Sequence, residues 1–235
     1  MSTATFYYPA LRNDIDQMIH LQGREAWHAL GVRRLNPGDA IRIMNGKGRI
    51  ADGSVDRVDS QKEAWVRVLS VREIPACKPD IVLASAIAKG DRQSTMLDMV
   101  TQLGVSAYQP LQCERSVTKV SKNAVARWER VCLEACKQSG SAWLPEIFQP
   151  TPPVDAATRA VEKGRQVIFA HPKGVEVSKL EATAAITAVI GPEGGFTTAE
   201  VNAMTEAGAI PVGLGKNILR IESAAVSLVA RLRLT

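Results

Sequence analysis

Two glycine-bearing stretches near the carboxyl end of the chain combine residue types that suit the binding of a small ligand. The first, residues 191–196 (GPEGGF), directly follows the apolar run 185–190, and the second, residues 215–220 (GKNILR), follows the run 210–214. Glycine allows a backbone to turn sharply and to approach a ligand closely. Ligands of open parallel sheets bind beyond the carboxyl ends of the strands. If both apolar runs are strands of one sheet, the two loops face the same edge and can together enclose a ligand.

The first loop matches no common phosphate-binding motif. The Walker motif needs Gly-Lys-Ser/Thr and the dinucleotide motif needs GxGxxG, and residues 191–196 contain neither. Residues 197–200 (TTAE) predict a capping box, in which Thr197 caps a helix and Glu200 reaches back to it. The loop is therefore expected to end at a helix amino terminus with free N–H groups. A purely structural turn is the alternative for this stretch taken alone.

The first third of the chain has the pattern of antiparallel strands. Residues 40–44 (AIRIM) precede Asn45-Gly46, a hairpin signal, and residues 64–69 (AWVRVL) alternate apolar and polar side chains. We therefore expect a small antiparallel barrel or sandwich. Residues 75–79 (PACKP) contain two prolines, which resist both a helix and a central strand, and this segment is predicted to be a linker.

The rest of the chain alternates strands with helices. The strand candidates are residues 81–87, 107–111, 166–170, 185–190 and 210–214. The helix candidates are residues 94–103, residues 123–138 and a final apolar helix that opens at residues 221–223. This order predicts an α/β fold with a mostly parallel sheet. Residues 150–153 (PTPP) predict a surface loop, and the two predicted domains cover residues 1–74 and 75–235.

Composition excludes several classes of protein. With 46% hydrophobic and 23% charged residues among 235, the chain is neither disordered nor a disulfide scaffold. No apolar run approaches the roughly 18 residues of a membrane helix, and the first ten residues have no leader pattern, so a cytoplasmic protein without a membrane partner is expected. The net charge of +5 is compatible with a surface that contacts phosphates. No metal is expected, because the cysteines and histidines lack zinc-ligand spacing: Cys77, Cys113, Cys132, Cys136, His20, His28 and His171.

The two glycine stretches also resemble those of a known family. Residues 191–196 and residues 214–224 (LGKNILRIESA) closely resemble the two signature stretches of the bacterial ribosomal RNA small subunit methyltransferase E family, which belongs to the SPOUT methyltransferases. The resemblance extends through shorter segments over nearly the whole chain: residues 6–7 (FY), 37–39 (PGD), 89–92 (KGDR), 103–105 (LGV), 114–117 (ERSV) and 138–140 (QSG), with Pro145 just beyond.

The resemblance implies a fold and a reaction. It implies a small PUA-like β-barrel over residues 1–74, which binds RNA, and a SPOUT domain over residues 75–235 whose carboxyl end forms a deep trefoil knot. In this family the knot is the S-adenosylmethionine site, and a homodimer completes the active region. The reaction is transfer of a methyl group to N3 of a specific uridine in the 16S ribosomal RNA of the 30S subunit.

The family's functional positions are carried over to this chain as follows. The expected cofactor-binding residues are Ile190, Gly191, Gly194, Gly195, Leu214, Gly215, Ile218 and Leu219, together with His171 and Pro172 in a loop after a strand that ends at Ala170. The expected RNA-contacting residues are Arg92, Arg115, Lys119, Lys122, Arg33 and Arg34, each of which has a solvated surface charge as its alternative.

Arg220 and Glu222 are the candidate catalytic residues. Methylation at N3 of uridine requires loss of the N3 proton, so a base or a group that stabilises the anion is needed. Our hypothesis is that Arg220 stabilises the developing oxyanion or holds a phosphate, while Glu222 orients Arg220 or accepts the proton. The alternative is a structural salt bridge between the two side chains.

The chain departs from the family pattern outside the two glycine loops. The departures are Met99, Gln102, Ser141 and residues 32–34 (VRR), and they affect RNA docking or dimer contacts more than cofactor binding. Two other functions stay open. One is a SPOUT ribose 2'-O-methyltransferase acting on ribosomal or transfer RNA, and the other is a non-catalytic RNA-binding factor of ribosome assembly.

Overall fold

The computed structural model describes residues 3–118, 120–121, 123–177 and 183–234. The chain divides into two compact units. Unit 1 contains Met1–Ala76 and Leu133–Leu144, and unit 2 contains Cys77–Cys132 and Pro145–Thr235.

Unit 1 is built on a five-stranded sheet. Its elements are β1 (Thr5–Tyr7), β2 (Met18–Gln22), α1 (Gly23–Trp27) with a following π-helical turn (His28–Val32), β3 (Ala40–Met44), β4 (Arg49–Ser60) and β5 (Glu63–Glu73). The strand order is β1-β3-β4-β5-β2, and every pair is antiparallel except β1 with β3, which is parallel. The expectation of a purely antiparallel sheet misses this pair, because a short edge strand joined to β3 by a long connection is free to pair in either direction.

A buried asparagine shapes the predicted hairpin between β3 and β4. Asn45 is 5% exposed, and its Oδ1 atom accepts hydrogen bonds from the backbone N–H groups of Lys47 (2.8 Å) and Arg49 (2.9 Å). Gly46 has a φ of +71°, which favours glycine. Strand and hairpin therefore form where the sequence predicts them, and Ile41 and Ile43 of β3 are fully buried in the core of the unit.

The segment Leu133–Leu144 completes a second apolar cluster in unit 1. Cys136 and Ala142 are buried there together with Met44 and Ile50. The ammonium group of Lys137, whose side chain is 6% exposed, lies 2.9 Å from a carboxylate oxygen of Glu25 (Oε1). A buried charge of this kind is tolerated because it is paired and hydrogen-bonded.

Unit 2 contains a six-stranded sheet in which every pair is parallel. Its strands are β6 (Asp80–Ala86), β7 (Ala107–Leu111), β8 (Glu146–Ile147), β9 (Gln166–Glu176), β10 (Ala185–Ile190) and β11 (Ile210–Gly213), in the order β11-β9-β10-β6-β7-β8. Its helices are α2 (Arg92–Gln102), the first part of α3 (Ala124–Ser139), α4 (Pro153–Glu162), α5 (Thr198–Glu206) and α6 (Ile221–Arg233). The predicted parallel α/β fold is confirmed, while the trefoil knot stays a prediction.

The last helix of unit 2 is fixed by its apolar face and by its final arginine. Leu228 and Val229 are fully buried, and α6 packs against α2. The Arg233 guanidinium donates hydrogen bonds to the carbonyl oxygens of Leu103 (2.9 Å), Gly104 (2.7 Å) and Pro79 (2.8 Å). Within the described ranges, no helix is both long enough and apolar enough to cross a membrane.

Strand β9 contains a bulge where it passes β11. Its first part pairs Phe169 with Pro211, its last part pairs Val175 with Val212, and the register shifts between them. The prediction that this strand ends at Ala170 is wrong, because the chain resumes pairing after the bulge and continues to Glu176. The backbones meet very closely there, since a Cβ atom added at Gly174 would lie 2.4 Å from backbone atoms of Val212.

We expect the substitution Gly174→Ala to destabilise the protein by about 3 kcal/mol, because the new methyl group must displace backbone rather than a flexible side chain. The matched control is Gly31→Ala, where the nearest atom is the tip of the Trp27 side chain at 3.3 Å. Urea unfolding of both variants measures the difference. Equal stabilities would contradict the close backbone contact.

Candidate active site

Five chain segments of unit 2 gather at one edge of its sheet. Arg92 follows β6, Arg115 follows β7, and His171 lies in the bulge of β9. Residues 191–196 follow β10, and residues 214–219 follow β11. Four of these segments follow the carboxyl ends of parallel strands, and His171 follows the part of β9 that pairs with β10. Ligands bind at this edge in such sheets. The two glycine loops thus face the same edge, as their sequences predict, with β9 between them.

The loop after β10 is folded over an aromatic support. The backbone N–H of Gly195 donates a hydrogen bond to the carbonyl oxygen of Pro192 (2.8 Å), which closes a turn. A Cβ atom added at Gly191 would lie 3.0 Å from the ring of Phe196, and that ring packs edge-on against Phe169. The Phe196 ring therefore fills the space on one side of the loop, while the backbone at Gly194 and Gly195 stays exposed.

The predicted capping box is confirmed and connects two loops. Thr197 Oγ1 accepts from the Glu200 backbone N–H (3.2 Å), and Glu200 Oε2 accepts from the Thr197 backbone N–H (2.8 Å). The other oxygen of Glu200 accepts from the backbone N–H of Glu114 (2.9 Å). Arg115 donates to the carbonyl oxygen of Gly194 (3.0 Å). Part of the Arg115 guanidinium is therefore used within the protein, where it positions the glycine loop.

The loop after β11 has open space and exposed apolar side chains. Gly215 has a φ of +121°, and a Cβ atom added there would meet nothing within 4 Å. Ile218 is 92% exposed and Leu219 is 37% exposed. Exposed aliphatic side chains beside a glycine in this conformation are suited to contact with a flat apolar ligand.

Glu222 has a buried oxygen without a donor. Its Oε1 atom lies 3.9 Å from the Nε of Arg92, in a loose ion pair. Its Oε2 atom is buried, and in the described part of the chain it has no hydrogen-bond partner. A buried carboxylate oxygen without a donor is costly, so this atom is available to a donor that arrives with a ligand.

The expected pair of Arg220 with Glu222 does not form among the described residues. Arg220 is the exposed N-cap of α6 with an extended backbone, whereas Glu222 lies in the first helical turn. Residues two apart at a helix start do not face each other, which explains why Glu222 is paired with Arg92 instead.

His171 and Pro172 lie in the bulge of β9 rather than in a loop after it. The His171 ring packs edge-on against Phe169, and its Nδ1 atom accepts from the backbone N–H of Lys173 (3.2 Å). Pro172 is exposed. Both residues therefore lie on the strand between the two glycine loops.

The other four predicted RNA contacts lie in unit 1 or outside the described residues. Arg33 and Arg34 belong to unit 1, where both are exposed after the π-helical turn. Lys119 and Lys122 lie outside the described residues. Of the six basic residues predicted to contact RNA, the structure brings Arg92 and Arg115 to the edge with the glycine loops.

The departures from the family pattern lie on helix and loop surfaces. Met99 is 45% exposed on α2, and Gln102 donates to Asp98 one turn earlier (2.8 Å). The hydroxyl of Ser141 donates to the carbonyl oxygen of Trp143 (3.1 Å). The contacts of Gln102 and Ser141 are thus with residues close to them in the sequence.

Sequence reasoning missed a buried polar network that positions Arg92. The Gln93 side chain accepts from the backbone N–H of Ala88 (2.9 Å) and donates to the Tyr108 hydroxyl (2.9 Å). Burial raises the pKa of Tyr108 to about 12. The network holds the start of α2, and nothing in the sequence distinguishes Gln93 from a solvated helix residue.

Thiol chemistry is not supported at this edge. Burial, with the Glu200 carboxylate nearby, raises the pKa of Cys113 to about 12, so its thiol stays protonated near neutral pH. Among the described residues, no group of three or more His, Cys, Asp and Glu side chains could hold a metal ion.

Two family models match the chain. A family model described as an RNA methyltransferase domain matches residues 76–233, and one described as an RNA methyltransferase PUA domain matches residues 21–69. The ribosomal RNA small subunit methyltransferase E of Mycobacterium tuberculosis is 30% identical to this chain, over 94% of this chain and 88% of the relative.

Solved structures agree with these matches. The ribosomal RNA small subunit methyltransferase E of Neisseria gonorrhoeae, bound to S-adenosyl methionine, has a TM-score of 0.90 at 28% identity, over 99% of this chain and 98% of that chain. A protein of Legionella pneumophila solved in complex with the cofactor SAM has a TM-score of 0.89 at 30% identity, over 100% of this chain and 98% of that chain. The resemblance predicted from the sequence is confirmed: the chain belongs to the ribosomal RNA small subunit methyltransferase E family.

Proposed function

We propose that the chain transfers a methyl group from S-adenosylmethionine to N3 of a specific uridine in the 16S ribosomal RNA of the 30S subunit. The observation on which this proposal rests is the unpartnered, buried Oε2 atom of Glu222, on the helix that follows the loop after β11. Family membership and the S-adenosyl methionine bound by the Neisseria gonorrhoeae relative support it.

The two glycine loops fit this cofactor. Open space adjoins the backbone at Gly195 and Gly215, since a Cβ atom added at either would meet no atom within 4 Å. Exposed apolar side chains lie beside that space, which suits an adenine ring. The residues proposed to hold the cofactor are Ile190, Gly191, Gly194, Gly195, Leu214, Gly215, Ile218 and Leu219, with His171 and Pro172 beside them. When bound, S-adenosylmethionine supplies an electrophilic methyl group on a positively charged sulfur.

Glu222 is the proposed acceptor of the uridine N3 proton. The N3 lone pair becomes nucleophilic only when that proton leaves, and Glu222 Oε2 is an acceptor without a protein donor in the described ranges. Arg92 holds the carboxylate through its other oxygen at 3.9 Å. Glu222 also lies in the first turn of α6, where free N–H groups favour negative charge.

Arg220 is proposed to stabilise the uridine oxygen that becomes negative, or to hold a phosphate. It is exposed, and no carboxylate lies within 4.0 Å of it in the described part of the chain, so its donors are available to the substrate. Arg115 is proposed to act through Gly194, by fixing the loop against which the cofactor binds.

The remaining parts of the proposal concern the RNA and the assembly. Residues 1–74 are proposed to bind RNA, with Arg33 and Arg34 among the contacts, and residues 75–235 to perform the transfer. The protein is proposed to act as a homodimer in the cytoplasm. Met99, apolar and 45% exposed on α2, is available to such an interface.

The identity of the methylated nucleoside tests the function. The purified protein is incubated with radiolabelled S-adenosylmethionine and 30S subunits, and the digested RNA is separated by chromatography. We expect label in 3-methyluridine. Label in a 2'-O-methylated nucleoside would replace the proposal by a ribose methyltransferase. RNA binding without any incorporation would replace it by a non-catalytic factor of ribosome assembly.

The substitution Glu222→Gln tests the proton acceptor. An amide of the same size cannot accept the proton, so we expect kcat to fall by at least about 100-fold, with the Kd for S-adenosylmethionine unchanged. The matched control is Glu206→Gln, an exposed carboxylate on α5, which should leave kcat unchanged. A wild-type kcat for Glu222→Gln would contradict the role. A lower melting temperature of Glu222→Gln together with its lower kcat would indicate that Glu222 and Arg92 form a structural pair.

A further inference from the structure

A cavity in unit 2 lies away from both glycine loops. Its volume is about 380 Å³, within the range of sites for small ligands. None of its lining residues belongs to residues 190–196 or 214–220. The floor includes Val82 and Thr187, which are register partners and the third residues of β6 and β10. The cavity therefore lies toward the amino-terminal half of these strands, whereas the glycine loops follow their carboxyl ends.

The wall formed by residues 148–151 is fixed to the sheet. The backbone N–H of Phe148 donates to the carbonyl oxygen of Tyr108 (2.9 Å), and that of Thr151 donates to the carbonyl oxygen of Pro110 (3.1 Å). The sequence predicts a surface loop over residues 150–153, but Thr151 is 7% exposed and forms an isolated bridge with Leu111, and α4 begins at Pro153. The cavity is thus preformed on this side, with the flat side chains of Phe148 and Pro150 facing it.

The opposite wall is helix α4, which contributes room and positive charge. Ala156 and Ala160 line the cavity one helical turn apart, and their small side chains leave the space open. Arg159 and Lys163 line it as well. Arg159 donates to the carbonyl oxygen of Asp155 (3.1 Å) and to the hydroxyl of Thr151, both of which are uncharged. In the described ranges, neither cation has a carboxylate within 4.0 Å.

The third cation of the lining is already neutralised. Arg165 contacts the carboxylate of Asp80 (2.6 Å) and the carbonyl oxygen of Ile186 (2.7 Å), and it donates to Thr187 Oγ1 (3.0 Å). Thr187 is 3% exposed and its hydroxyl oxygen accepts this bond, but the hydroxyl proton has no acceptor among the described residues. The floor therefore offers a buried donor, and the α4 wall offers two uncompensated positive charges.

We infer that this cavity binds a pyrimidine nucleoside monophosphate group. The phosphate is held by Arg159 and Lys163, the base lies against Phe148 and Pro150, and a base carbonyl oxygen accepts the proton of the Thr187 hydroxyl. A phosphate takes up the two free charges, and a planar ring with acceptors matches an apolar wall next to a buried donor. The group comes either from a free nucleotide or from a nucleotide of an RNA strand.

Isothermal titration calorimetry of the full-length protein with uridine 5'-monophosphate tests the inference. We expect binding that Lys163→Glu weakens at least about tenfold, because a charged hydrogen bond is replaced by repulsion. The control Arg130→Glu changes an exposed residue of α3 outside the cavity and should bind as the wild type does. Saturating S-adenosylmethionine should not alter the affinity, which keeps this result separate from the proposed methyl transfer.

A variant that fills the cavity tests whether the ligand binds inside it or only near its positive charges. Ala160→Leu enlarges a small side chain of the cavity wall, 8% exposed, and leaves every cation in place, so we expect it to abolish binding. Thermal unfolding checks that the variant is folded. A five-nucleotide uridine RNA distinguishes the two sources of the group. If this RNA binds more strongly than the mononucleotide and the mononucleotide displaces it, the source is RNA. If only the mononucleotide binds, the source is a free nucleotide. No binding, or equal binding by wild type, Lys163→Glu and Ala160→Leu, would overturn the inference and leave Arg159 and Lys163 as charges that complement the carboxyl end of α4.

Discussion

The parallel register of β11, β9, β10 and β6 is the constraint on which the site depends. β9 pairs with both β10 and β11, so the two glycine loops open on the same edge. β11 has four residues and pairs with β9 on both sides of the bulge. The contact between Gly174 and the Val212 backbone therefore determines where residues 214–219 begin. Because α6 follows directly, the position of Glu222 depends on a glycine in another strand.

The two charged partners at the edge lie on helices that are fixed by other side chains. Arg92 begins α2, and the next residue, Gln93, is anchored to Ala88 and Tyr108. Glu222 lies in the first turn of α6, whose far end is fixed by the three carbonyl contacts of Arg233. A side chain on a helix that is fixed in this way has few alternative positions, which is what orientation of a proton acceptor requires. The loose 3.9 Å ion pair thus joins two rigid elements.

Features set by residues close in sequence could be predicted, and those set by distant packing could not. The capping box of Thr197 and Glu200 and the turn at Asn45 depend on neighbours within four positions, so the residue types alone predict them. The pairing of Glu222 with Arg92 requires α2 and α6 to pack together, which no periodicity indicates. For the same reason the sequence does not predict the bulge of β9 or the place of Leu133–Leu144 in unit 1. The cofactor residues follow only from the resemblance to the family.

The cations of unit 2 fall into two classes that the net charge of +5 does not distinguish. Arg165 and Arg233 direct several of their donors to oxygen atoms of the protein, and Arg165 is also paired with the carboxylate of Asp80. Arg220, Arg159 and Lys163 have no carboxylate within 4.0 Å in the part of the chain that the structure describes. A guanidinium has five N–H donors, so the number already used decides whether it binds a phosphate. The free donors of these three residues lie at two places in unit 2, after β11 and beside α4.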